Sequence, residues 1–113
     1  MNLLLAAAMV FQLRAFPQAS IASPGRPAHI HLTAELTGPE DEALYCPRIV
    51  WEWPDETESS YEADCEPYAP GADFPRRWSR DVNSGPGSWN VCARLEKPEG
   101  KVRRKACVSF EVN

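Results

Sequence analysis

The chain has 113 residues, 43% of them hydrophobic, with eleven prolines, six glycines and a formal net charge of −4. A single core takes on the order of 50 to 200 residues, so this is one domain's worth of chain. Many turn-forming residues and no long helical apolar period exclude a helical bundle and predict short strands in an antiparallel β-sandwich or barrel. Net acidity disfavours a nucleic-acid partner.

Residues 1–22, ending QASIA, read as an export signal. The apolar stretch Leu3–Leu13 would span only about 16 Å as a helix, against a hydrocarbon core of about 30 Å, so no membrane span is expected. Small residues Ser20 and Ala22 flank Ile21, which places cleavage before Ser23 and the folded domain at 23–113. No basic residue precedes the stretch and no cysteine follows it closely, so lipid attachment has no support. The competing reading is a buried N-terminal helix or strand. Four cysteines fit export, because an even number in a small secreted chain points to two disulfides with three permitted connectivities. There is no CxxC pair and no histidine near them, which argues against zinc.

After the proline-rich SPGRPA, the stretch HIHLTAEL alternates: Ile30, Leu32, Ala34 and Leu36 share one face, His29, His31, Thr33 and Glu35 the other. TGPEDEA is a polar turn, and YCPRIVWEW is a second strand whose Ile49, Trp51 and Trp53 are core candidates opposite Arg48, Val50 and Glu52. Pro54 cannot donate to a ladder and suits the second position of a type I turn, so Trp53-Pro54-Asp55-Glu56 reads as a reverse turn. A short strand around Ser60, a long loop to Pro75 and a strand carrying Trp78 follow.

SWNVCARLE and VRRKACVSFEV are predicted to form a hairpin around KPEGK, with Glu99 and Gly100 at its tip. A Cys92–Cys107 disulfide needs those residues directly opposite each other. The same register sets Trp89 against Phe110, Val91 against Val108 and Ala93 against Ala106 on the other face, and on the cysteine face Glu96 against Arg103 and Arg94 against Lys105. A one-residue slip would put the core face into water, so bridge and register support each other. Cys46 is left to pair with Cys65.

The stretch Trp51-Glu52-Trp53-Pro54-Asp55-Glu56-Thr57-Glu58-Ser59 resembles the aromatic-acid-aromatic strand and glycine-aspartate-glycine turn of PKD-like, immunoglobulin-like domains, with both glycines replaced. Pro86-Gly87-Ser88-Trp89-Asn90-Val91 is similar to that family's second motif, proline-glycine-Thr-Tyr-x-Val. Asp81 and Asn83 stand where the family has His and Tyr. The resemblance covers about Ala28 to Val112. It implies an all-β antiparallel sandwich, here with two disulfides, used by exported bacterial-type proteins as a non-catalytic module for protein or carbohydrate contacts or as a spacer.

The candidate sites are few. Asp55, Glu56, Glu58 and Asp64 could offer calcium ligands, although their spacing matches no EF-hand and supplies no glycine for a tight loop. His29 and His31 lie two apart on one strand face without a visible third ligand. Oxidised cysteines, two histidines on one strand and no nucleophile-elbow serine leave no catalytic set. Tyr61, Tyr68 and Phe74 could form a sugar-stacking or protein-docking surface, or cover the open end of the sandwich. The basic residues Lys97, Lys101, Arg103, Arg104 and Lys105 could meet anionic partners, or guard an edge against aggregation. From Glu35 to Asp73 twelve acids meet one base, Arg48, while from Arg76 onward nine bases face four acids, so the chain can neutralise itself across its fold.

The expectation is therefore a secreted, periplasmic or surface-exposed monomer that binds a protein or glycan without metal, cofactor or catalysis. The alternatives are an inhibitor presenting the Cys46–Cys65 loop to a hydrolase as a rigid wedge, a calcium-binding module and a small enzyme.

Overall fold

The computed structural model describes residues 8–20 and 27–113. Within them the chain forms β1 (Val10–Phe16), β2 (Ala19–Ser20), β3 (Ala28–Thr37), a 3-10 turn (Glu42–Leu44), β4 (Arg48–Glu52), β5 (Glu58–Tyr61), β6 (Arg77–Ser84), β7 (Gly87–Glu96) and β8 (Val102–Val112). One sheet has the order β1-β3-β6 and the other β2-β8-β7-β4-β5. All pairings are antiparallel except β2 with β8. This is the expected all-β two-sheet sandwich with disulfides Cys46–Cys65 and Cys92–Cys107.

The core follows from alternation. Ile30, Leu32, Ala34 and Leu36 of β3 are buried and face Trp51, Val91, Ala93, Leu95 and Phe110 from the other sheet. Strand β1 of the sandwich lies ahead of the domain start expected at Ser23. Phe11, Leu13 and Ala15 of β1 are buried while Val10, Gln12, Arg14 and Phe16 are exposed, a strict period of two that pairs β1 along β3 from Val10–Thr37 to Phe16–His31. Hydrophobicity summed over Leu3–Leu13 hides that period, and the period is what builds the strand. Residues 1–7 and the cleavage site expected at Ala22–Ser23 lie outside the described residues.

The second predicted strand is shorter than its apolar pattern. Asp41 caps the 3-10 turn by accepting from the Ala43 N–H at 3.0 Å, Cys46 takes a positive φ of 50°, and Pro47 has no N–H to give, so the ladder starts at Arg48. Ile49 and Trp51 are buried as expected, and Trp53 is half-buried, stacked on Trp51 at 6.1 Å. The turn after it closes with Glu56 N–H donating to the Trp53 carbonyl at 3.0 Å, and the Asp55 carboxylate accepts from the Thr57 N–H at 3.1 Å.

The β7–β8 register is the expected one from Trp89–Phe110 through Cys92–Cys107 to Arg94–Lys105. It breaks at a bulge between Leu95 and Glu96, after which Glu96 lies opposite Val102 and not Arg103. The Glu96 carboxylate accepts instead from the Gly100 N–H at 3.0 Å and from Arg94 Nε at 2.6 Å. Arg94 faces Lys105 as expected, and Glu52 relieves the repulsion by accepting from Arg94 Nη1 at 3.0 Å and Lys105 Nζ at 3.2 Å. Arg94 also reaches Glu58 on β5, so its stem crosses β4 over Val50, which is buried although it points away from the core. Acids of the first half thus meet bases of the second, with Glu35–Arg77 a further case.

Candidate functional site

The two sheets differ in width, and that difference makes a groove. β1 approaches β8 across the sandwich, residues of β4 and β6 line one space, and β5 is left largely exposed. The space beside β6 is a cavity of about 330 Å³ whose floor is Ile49 and Trp51, with Tyr61 on the β5 side and Trp78 and Arg80 on the β6 side. A second hollow of about 410 Å³ continues it past Arg80 to Trp53, Val82 and Trp89. Inward positions of β6 alternate Trp78, Arg80, Val82 and Ser84. Arg80 is thus a cation in a core-phase position, exposed because the groove is open there, with its guanidinium 5.3 Å from the centre of the Trp53 ring. It has no ion-pair partner among the described residues.

Of the three predicted aromatic contacts, only Tyr61 joins this groove, and it is 57% exposed. Tyr68 and Phe74 instead pack on Tyr45, with ring centres 5.1 and 5.6 Å away, and cover one end of the sandwich. Tyr45 fixes the chain beyond Cys65 by donating its hydroxyl to the Glu66 carbonyl at 2.6 Å. That segment is laid back on the fold, while the Cys46–Cys65 loop expected as an inhibitor's wedge contains β4 and β5. Sequence reasoning missed Arg80 and Trp78 as a pair. The available signal was an arginine two residues beyond a tryptophan, on the same face of a strand.

The other candidates are occupied by the protein itself. Asp55 accepts from both the hydroxyl and the N–H of Thr57, which hold its carboxyl below the usual range. Glu58 is held below its usual range first by its hydrogen bond to Arg94. His31 Nδ1 and Asp81 Oδ1 are 2.6 Å apart, an interaction that lowers the Asp81 carboxyl, and His29 lies 3.7 Å from the same oxygen. His29 also meets Asn83, so the two residues that depart from the PKD-like pattern are the cross-strand partners of the two histidines. Among the described residues no three His, Cys, Asp or Glu side chains converge as metal ligands, and both cysteine pairs are oxidised. A smaller depression of about 260 Å³ on the outer face of the three-stranded sheet holds Phe16, Arg14 and His31, with Arg77 engaged by Glu35. In the basic cluster, Arg103 Nε donates to the Lys97 carbonyl at 2.7 Å, Arg104 to the Met9 carbonyl at 3.3 Å and Lys105 to Glu52, so these bases are used structurally.

The chain is similar in structure to the CARDB domain of PF1109 from Pyrococcus furiosus, with a TM-score of 0.58 over 94% of each chain at 8% identity. The fold resembles that of a CARDB-type, immunoglobulin-like sandwich. A conjugative transposon lipoprotein from Bacteroides eggerthii DSM 20697 is similar at 11% identity over 91% of this chain and 96% of its own, with a TM-score of 0.44. No protein-family model matches the chain, and no curated protein matches it in sequence. At such identities the likeness concerns architecture alone. Among the described residues no helix is long and apolar enough to cross a membrane.

Proposed function

We propose that this chain is an exported, non-catalytic binding module of the PKD-like branch, and that the groove between β5 and β6 is where it holds its protein or glycan partner. The observation that carries the reading is the uncovered β5: it leaves Trp51, Tyr61 and Trp78 around open space, with Arg80 beside it. Aromatic anchors next to an arginine are the side chains that most often dominate binding energy. The PKD-like assignment is supported by the turn, where Glu56 keeps a positive φ of 69° at the position of the family's second glycine. Export is supported by the two disulfides, which persist in oxidising compartments.

The test is a pull-down with the full chain from the producing cell's envelope and medium, repeated with Tyr61→Ala and Arg80→Ala and with the outer-face control Thr33→Ala. The expected result is a captured partner lost with both groove variants and retained with the control. Capture that survives both groove variants would place the interaction elsewhere.

A further inference from the structure

Building on the groove reading, we propose that β6 is a docking edge for an extended acidic peptide, which adds as a fourth strand to the three-stranded sheet and lies over β5. β6 is the last strand of its sheet, and its eight residues have no second strand partner among the described residues. In an antiparallel pair, alternate residues turn their N–H and C=O groups away from the partner, so this edge offers a ladder of unmet donors and acceptors. A strand added there would run about 4.8 Å beyond β6. That position is the open volume above Ile49, Trp51 and Tyr61, so alternate side chains of the peptide would enter the groove while its backbone pairs with β6. The addition covers the exposed ring of Tyr61.

Charge selects the occupant. Arg80 faces the groove without an ion-pair partner among the described residues, and Arg77, 68% exposed, stands at the same edge on Glu35. A second copy paired with Arg80 against Arg80 would set like charges side by side, which opposes that register. An inward arginine on an edge strand is a known guard against self-association. A strand with its carboxylates on the groove face gives Arg80 the partner it lacks, while Asp81, the one acid of β6, lies on the opposite face beside His31.

The probe is a fluorescent eight-residue peptide of alternating glutamate and valine, titrated against the full chain by anisotropy. It is compared with its lysine–valine counterpart, with the same glutamate peptide N-methylated at alternate amides, and with an oligogalacturonate. Saturable binding of the glutamate peptide is expected, weakened about tenfold or more by Arg80→Glu, by Tyr61→Ala and by N-methylation, a loss of at least about 1.4 kcal/mol. The β6 amides should gain protection from hydrogen exchange on binding, while unchanged melting of Arg80→Glu shows that the variant is folded. Equal binding of the N-methylated or the lysine peptide, or no binding of any peptide, overturns strand addition. If no peptide binds while the oligogalacturonate does, or while Tyr61→Ala still abolishes partner capture, the groove reading stands and the peptide inference falls; if capture survives both Tyr61→Ala and Arg80→Ala, the groove itself is wrong.

Discussion

Glu56 sits in the left-handed region, at φ 69°, where a side chain meets its own backbone. The turn tolerates it because Pro54 and the Asp55–Thr57 hydrogen bonds fix the residues on either side. Glu56→Gly is therefore expected to raise stability by about 0.5–1 kcal/mol, the relief of strain less the greater freedom of an unfolded glycine, as read by urea denaturation. Arg94 is the opposite case, a single cation shared by Glu52, Glu58 and Glu96. Arg94→Met should cost about 2 kcal/mol at pH 7, because it strands the buried Glu96 carboxylate among its neighbours. Glu58 and Glu96 are both held below the ordinary glutamate range, chiefly by hydrogen bonds from Arg94. Their contribution is thus complete above the unfolded value of about 4.3 and is lost as pH falls through the lower folded values. The gap between wild type and Arg94→Met should consequently narrow in denaturation curves taken at pH 3.

At the scale of elements, the β7–β8 hairpin was legible because two independent constraints coincide: a disulfide between facing cysteines and an apolar period of two on the other face. The bulge at Leu95–Glu96 was not, since it depends on where one carboxylate finds its donors, Arg94 and the Gly100 N–H, after the strands have met. β1 matches the competing reading of a buried N-terminal strand: Phe11, Leu13 and Ala15 carry a strand's alternation, but they abut a continuous apolar run, which favours the export reading. The Cys92–Cys107 bridge crosses the outer face of the five-stranded sheet and closes a separation of 15 residues. Replacing both cysteines by serine is expected to lower stability by about 3 kcal/mol without moving the register, checked by thermal melting and by amide protection across Trp89–Phe110.

For the molecule as a whole, the mismatch of three strands against five decides where the groove lies, and no local pattern announces it. The groove walls come from β4, β5 and β6, and only their relative placement leaves β5 uncovered. What the chain did disclose was the aromatic supply and the disulfide frame. Residues 8–20 complete that whole: deleting 1–22 removes Phe11, Leu13 and Ala15 from the core and leaves β3 as a bare edge. The truncated chain is expected to lose its cooperative melting transition and to aggregate, as followed by circular dichroism and size-exclusion chromatography.

The same N-terminal segment pairs with both layers, β1 running against β3 and β2 running alongside β8 near the other terminus. β2 and β8 point the same way, but β1 precedes β2 in the chain, so tension applied to the two ends loads β1 against β3 before it reaches the parallel pair. A domain pulled from both ends would resist first through β1, with that short parallel clasp behind it.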